Sequence, residues 1–390
     1  MEQPPGFKDL IFPHHVCRLK KALYGLKQAP KAWFHKFSSF LLHLGFSCSK
    51  ADPSLFVLHS SKGTLLLLLY VDDIILTSNH SSLINILIQL ISSKFAMKDM
   101  GDLHYFLGIK ATLTKDGLFL SQHKYALDIL QRTNVLAARP LNTPLSQKHA
   151  LHDPTGALVD ASEYRSIVGA LQYLTLTRPE ISHSVNLLCQ FMQSPTEVHW
   201  SGVKRVLHYI AGTSQLGLRI SAQSSLNLVG FSDADWAGCP LSRRSTSGLC
   251  VFLGSNCISW SSRKQNTVAK SSAEAEYRSL ASLAAEVTWV TYILKDIGIS
   301  LSQPPVLFTD NISALHLRPN PVLHARTKHV ELDYHFVREK VVQGAMVTKF
   351  IPSMSQVADI LTKPLSKFQF QSHRTKLGVV QIPHSSLRGC

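Results

Sequence analysis

Two apolar runs flank an acidic pair in TLLLLLYVDDIILT, residues 64–77, which predicts a hairpin with both arms buried and Asp72 and Asp73 at its turn. Other short apolar runs also end in acid. LNLVGF at 226–231 leads into Asp233 and Asp235, and VLFT at 306–309 leads into Asp310. Between them, after a predicted strand pair, the period lengthens: Leu280, Leu283, Ala284, Val287, Val290 and Leu294 recur at helical spacing. Counting back four from Leu280 puts Glu276 on the same inward face. Ser271 and Glu274 instead form an S-x-x-E capping box that opens the helix and gives Glu274 a structural task. A strand at 347–351 precedes QVADIL, which carries Asp359 on a short helix. Further helices are predicted over 163–178, 185–192 and 199–210, behind a linker marked by Pro140, Pro144 and Pro154.

An inward carboxylate is costly unless positive charge compensates it, and a divalent metal shared by Glu276 and Asp233 would do so. Taken singly, Asp310 reads as the N-cap of the next helix and Asp359 as a solvated acid. Taken together, four acids at strand ends and helix starts point to one metal site. Asp72 and Asp73 repel one another, and short hairpin turns favour Asn-Gly or Asp-Gly instead. A magnesium ion bridging the pair to a substrate phosphate would relieve that repulsion, and an ordinary Asp-containing turn is the alternative.

Charge points the same way. The 390 residues, enough for two or three domains, carry 40 Lys and Arg against 25 Asp and Glu, a formal net of +15. That balance suits a polyanionic partner, most simply nucleic acid. Residues 14–36 interleave Arg18, Lys20, Lys21, Lys27, Lys31 and Lys36 with Tyr24, Trp33 and Phe34. Such a mixture fits a track for phosphates and stacked bases, or equally the solvated basic face of a helix. The seven cysteines are scattered with no C-x-x-C pair, which excludes a zinc knuckle or a disulfide framework; Cys250 and Cys257 are expected in paired core strands. The N-terminus is polar and Pro-rich rather than a signal peptide, and no apolar run reaches the ~20 residues of a membrane span. An intracellular protein, cytoplasmic or nuclear and not secreted, with no membrane partner, is therefore expected.

The motifs SDADWAG, RRSTSG, SSAEAEY, FTDN, TKHVELDYHFVRE and VADILTKPL resemble, in order, the ribonuclease H domain of copia-type LTR retrotransposon Pol polyproteins. QPPGF, LYGLKQAPKAWF, DPSLFV, YVDDIILTS and MGDLHYFLGI resemble the second half of the reverse transcriptase of the same family, and YRSIVGALQYLTLTRPEI and HWSGVKRVLHYIAGT its connection region. The resemblance implies an α/β ribonuclease H-like domain, a mixed sheet flanked by helices, preceded by an incomplete reverse transcriptase palm and thumb (α+β) and a helical connection. Its divisions would fall at 1–142, 143–225, 226–366 and a tail at 367–390. It implies two Mg²⁺ ions on Asp233, Glu276, Asp310 and Asp359, with Asp235 and Glu274 outside the set. Asp72 and Asp73 become polymerase metal ligands, and Lys27, Gln28, Lys31, Trp33 and Arg244 nucleic-acid contacts.

The expected activity is hydrolysis of the RNA strand of RNA–DNA hybrids. Family polymerases carry a further catalytic Asp on a strand before QPPGF, which is not found here, so the polymerase portion is expected to be inactive and its Mg²⁺ bound only if that site is completed. Template RNA and DNA, hybrids and other Pol-derived proteins are the implied partners, and virus-like particles or the nucleus the implied places. A non-catalytic relic that only binds nucleic acid is the alternative.

Overall fold

The computed structural model describes residues 1–21, 23, 25–153, 155–317 and 331–381. Tyr24, Pro154, Cys390 and residues 327–330 of the TKHVELDYHFVRE motif lie outside the described residues. Met1–Gly101 with Tyr292–Ile299 forms one compact unit, and Asp102–Thr291 with Ser300–Cys390 forms the other.

In the first unit a four-stranded antiparallel sheet runs β1 (Ser47–Cys48), β2 (Leu55–Ser60), β3 (Gly63–Tyr70) and β4 (Asp73–Ser78). Alternation along β3 buries Leu65, Leu67 and Leu69 while Leu66 and Leu68 stay half-buried. Helices α1 (Ala29–His43) and α2 (Ser81–Lys94) close this core with Phe37, Leu41, Leu87 and Ile91. The hairpin is present, but β4 is only half-buried, so the expectation of two buried arms holds for β3 alone. A strand covered on one face needs only alternate apolar residues, and ILT reads the same with or without a second layer.

The second unit contains two sheets. Strands β5 (Tyr105–Phe106), β6 (Ile109–Thr114), β7 (Gly117–Ser121) and β8 (Leu216–Ser221) pair antiparallel in that order. The other sheet has β9 (Leu228–Asp235) at its centre, flanked by β10 (Thr246–Leu253) and β11 (Asn256–Lys264) on one side and by β12 (Val306–Thr309) and β13 (Val347–Phe350) on the other. Pairing is antiparallel from β11 to β9 and parallel from β9 to β13, which is the mixed sheet of a ribonuclease H-like domain. Residues 367–381, read from sequence as tail, form a helix and then β14 (Val379–Gln381), which pairs with β8.

Helices α3 (His123–Arg132), α4 (Ala161–Leu174), α5 (Ser182–Cys189) and α6 (Glu197–Ala211) share one apolar core with Cys250, Phe252 and Cys257 of the mixed sheet. α4 ends four residues before the expected stop: Thr175 to Arg178 turn, and Pro179 opens a 3₁₀ turn. Helix α7 (Ser272–Asp296) buries all six positions of its predicted stripe, and Gly230 of β9 admits Leu283, whose Cδ1 lies 2.6 Å from where a Cβ would stand. Helices α8 (Ile312–Leu317), α9 (Glu331–Val342) and α10 (Lys367–Lys376) complete the described elements used below. Among the described residues no helix is long and apolar enough to cross a membrane.

His183 on α5 is buried, and burial lowers its pKa to about 4, with His149 and His152 adding to the effect. A neutral imidazole in the folded state against an ordinary value near 6.5 means that the unfolded chain binds the extra proton between those limits. This contribution is therefore complete above about pH 6.5 and is lost as pH falls toward 4, by roughly 3 kcal/mol at most. The fall in Tm between neutral pH and pH 4.5 should be shallower in His183→Gln than in the wild type. An identical slope in both proteins would exclude His183 from the acid transition.

Candidate metal centre

β9 runs four residues beyond the apolar stretch that predicted it, so Asp233 and Asp235 lie within the strand rather than past its end. Pairing with β10, Asp233 opposite Gly248 and Asp235 opposite Thr246, keeps the strand regular to Asp235. Parallel pairing with β12 sets Phe308 beside Phe231. Two residues on, the same register carries Asp310 level with Asp233. Asp310 is not the N-cap of α8: Asn311 is, accepting a 2.9 Å hydrogen bond from the Ala314 N–H. That leaves Asp310 free to face the other acids.

Helix α7 contributes the third. Glu274 accepts a 2.7 Å hydrogen bond from the Lys270 N–H and pairs with Arg278 at 2.6 Å, while its own N–H donates to the Ser271 hydroxyl at 3.2 Å. It is buried, as Glu276 is, but its charge is fully engaged. Among the described residues Glu276 accepts only a 3.2 Å bond from the Ala234 N–H on Oε1, and its buried Oε2 has no hydrogen-bond partner. One carboxylate oxygen from each of Asp233, Glu276 and Asp310 lies within 4.8 Å of the other two. Among the described residues no other three His, Cys, Asp or Glu side chains gather so closely.

The acids are held from behind. The Ser353 hydroxyl donates to Asp310 Oδ2 at 2.7 Å, and the Ser279 hydroxyl to the Asp233 carbonyl at 2.8 Å. Gln356 donates 2.9 Å to the Ser232 carbonyl and caps the 3₁₀ turn Val357–Leu361, where Asp359 sits. Directly after that turn, the Thr362 hydroxyl donates to Asp233 Oδ2. The Lys363 ammonium stands 3.0 Å from Asp359 Oδ1 and 3.4 Å from Asp233 Oδ2. Asp359 therefore borders the three-carboxylate group as the partner of a lysine.

Electrostatics record the crowding. Burial first, then Asp233 and Asp310, raises Glu276 to about 9. Burial and Asp233 raise Asp359 to about 7, and burial raises Asp233 despite Lys363 and Thr362. Burial opposes the charge on Lys363, but Asp233 and Asp359 hold it above the ordinary lysine value. Converging, partly orphaned, oxygen-only donors are the set that a hard divalent cation takes, so the residues fit such an ion.

Asp72 and Asp73 are placed differently. Both are exposed, Asp72 in the two-residue turn and Asp73 at the start of β4 opposite Tyr70, beside Val71, which has φ 54°, a left-handed conformation unusual for a β-branched residue. Trp33 braces this turn: its indole N–H donates to the Val71 carbonyl at 2.6 Å, and its ring stacks on Phe37 and meets Phe95 edge-on. Lys27, Gln28, Lys31 and Arg244 are exposed. Trp33 and the four polar side chains therefore do not form one set: Trp33 is engaged in packing, and the others face solvent. Ser353, Gln356, Thr362 and Lys363 were not read from the sequence. Thr362 and Lys363 stood in the quoted VADILTKPL, but no period singles them out.

Residues 1–147 match the family described as reverse transcriptase (RNA-dependent DNA polymerase). The retrovirus-related Pol polyprotein from transposon RE2 of Arabidopsis thaliana is 49% identical over 387 residues, 99% of this chain and 26% of that protein. A transposon Ty5-1 protein of Saccharomyces cerevisiae is 30% identical over 291 residues, 74% of this chain and 94% of that protein. The solved foamy viral protease-reverse transcriptase, in complex with an RNA/DNA hybrid, covers 85% of this chain and 39% of its own at 15% identity and a TM-score of 0.45. The chain spans about a quarter of the length of the RE2 and RE1 polyproteins, 26% of each. Motif order, the mixed sheet and identity along nearly the whole chain agree, and the chain belongs to the family of copia-type retrotransposon Pol polyproteins.

Proposed function

We propose that this chain hydrolyses the RNA strand of RNA–DNA hybrids in a metal-dependent reaction at Asp233, Glu276 and Asp310. The observation that carries this reading is that Glu276, whose buried Oε2 has no hydrogen-bond partner among the described residues, gathers with two further carboxylates. Asp233, Glu276 and Asp310 would hold Mg²⁺, with Asp359 at the border of the site. The bound metal supplies Lewis-acid charge for the attacking water and the departing 3′ oxygen. The chain's own groups do the positioning: Ser353 fixes the rotamer of Asp310, Thr362 that of Asp233, and the Ala234 N–H that of Glu276. Exposed Arg244 and the basic excess favour backbone contacts, and 2′-hydroxyl contacts would distinguish the RNA strand. Polymerase chemistry at Asp72 and Asp73 would need a further carboxylate, since the pair gathers no third ligand among the described residues.

Asp310→Asn and Glu276→Gln each remove one charge from the site with little change of shape. Each ~1.4 kcal/mol lost from the transition state is a factor of ten, so cleavage of a labelled hybrid with Mg²⁺ should fall by orders of magnitude. Hybrid binding at matched salt should change little. Glu274→Gln keeps an acceptor for the Lys270 N–H and should cleave nearly normally, with a modest loss of stability from the Arg278 pair. Cleavage that survives Glu276→Gln but not Glu274→Gln would assign the wrong acid. Wild-type protein as inert as Asp310→Asn with Mg²⁺ or Mn²⁺ would leave a binding protein without turnover.

Affinity should also report on phosphate contacts. The logarithm of the hybrid association constant should fall linearly with the logarithm of salt, by about 0.7–0.9 per phosphate neutralised. A flat salt dependence would remove the nucleic-acid assignment for enzyme and relic alike.

A further inference from the structure

The cation at this site is part of the chain. Lys363 is the one Lys, Arg or His that forms an ion pair with Asp233 or Asp359 among the described residues. It bridges them: 3.4 Å to Asp233 Oδ2 on the central strand, 3.0 Å to Asp359 Oδ1 one turn earlier on its own segment. The bridge is anchored rather than incidental. Lys363 donates its backbone N–H to the Asp359 carbonyl at 3.1 Å, and its neighbour Thr362 is buried and bonded to Asp233. Gly248 fits under this segment so closely that a Cβ there would lie 2.6 Å from Thr362 Cγ2 and 2.9 Å from Leu361 Cβ.

The two acids differ in exposure from the lysine. The Asp233 side chain is 2% exposed and that of Asp359 11%, whereas the Lys363 side chain is 39% exposed. A four-carbon stem with that much access to solvent can carry its ammonium out to water while the backbone stays fixed. The acids have no such freedom. Asp233 Oδ2 and Asp359 Oδ1 therefore meet whichever cation is present, and an ammonium at ion-pair distance excludes a divalent ion from the same oxygens. The Asp233–Glu276–Asp310 side is different: among the described residues Lys363 forms no ion pair with Glu276 or Asp310, and the buried Glu276 Oε2 has no hydrogen-bond partner.

Building on the metal-dependent reading of this site, we propose that Lys363 is an intrinsic competitor for its second cation position. Its ammonium holds Asp233 and Asp359 together in the metal-free protein and must swing out before a divalent ion can use Asp359. The site then takes one ion readily, on Asp233, Glu276 and Asp310, and a second only against Lys363. By occupying Asp359, the lysine also keeps the buried acids from facing each other without any counter-charge.

Titration of the full chain with Mn²⁺, without nucleic acid, by calorimetry and by the EPR signal of free Mn²⁺ tests this directly. Wild type should bind one ion tightly and a second weakly. In Lys363→Met the second ion should bind tighter by roughly 5- to 150-fold, the usual range of a coupling between sites, with the first little changed. Lys363→Gln, more soluble in its side chain, should show the same gain, and Lys363→Arg should not. Adding Asp359→Asn to Lys363→Met should erase the gain. Second-ion affinity in Lys363→Met and Lys363→Gln equal to wild type, or a gain that survives Asp359→Asn, overturns the role of Lys363 and leaves the three-carboxylate centre standing. Wild type that binds no Mn²⁺ beyond the level of Asp233→Asn overturns the metal centre and the competitor with it.

Discussion

Asp233 and Glu276 are nearly removed from water and face each other and Asp310 within a few ångströms. Like charge in such a place has no dielectric to weaken it, and an isolated buried carboxylate shifts its pKa or finds a cation. Both responses are visible here. Burial and the neighbouring acids raise Glu276 well above the ordinary carboxylate range, while Asp233 accepts from Thr362 and pairs with Lys363. Burying like charge is costly, and the acids stand on well-braced elements: a central strand paired on both sides, a long apolar helix face, and a covering turn tied to the strand by Gln356.

The three acids are far apart in sequence, and register alone brings them together. Parallel pairing of β9 with β12 sets Asp233 and Asp310 at the same level, which an antiparallel neighbour would not do, because its C-terminal end would lie at the opposite edge. Glu276 arrives from α7, whose approach is fixed where Leu283 enters the space left by Gly230. The Ser279 hydroxyl, one turn below Glu276, donates to the carbonyls of Asp233 and Gly248 and so ties the helix to both strands. Packing and hydrogen bonding thus position the carboxylates to the tolerance that a metal needs.

Much of this was legible from residues alone, for physical reasons. The helical period through Leu280 and Leu283 placed Glu276 inward without any knowledge of its neighbours, and the S-x-x-E pattern accounted for Glu274. The alternative reading of Asp310, as the cap of α8, falls one residue early, since Asp and Asn are both good caps and FTDN offers both side by side. Thr362 and Lys363 were not legible. A lysine four residues after an aspartate usually marks a solvated helical face, and only the tertiary fold turns this one toward Asp233. Composition left Trp33 open between a nucleic-acid track and a helix face, and its partners, Phe37, Phe95 and the Val71 carbonyl, are distributed over separate elements that no local pattern connects.

The contrast with Asp72 and Asp73 shows why burial, more than the number of acids, separates the two acidic clusters. Two adjacent carboxylates on an exposed turn repel through water and mobile ions, which costs little and demands no partner. Their strain lies in the backbone instead, at Val71, and Trp33 restrains it. Buried acids cannot call on solvent in this way. At the Asp233 site the charge is met instead by an upward pKa shift, as at Glu276, or by a cation of the chain's own, as at Asp233 and Asp359. A site whose crowded charge is met by burial-shifted titration at Glu276 and by a lysine at Asp233 and Asp359 still keeps, among the described residues, one buried oxygen without a hydrogen-bond partner to offer a metal.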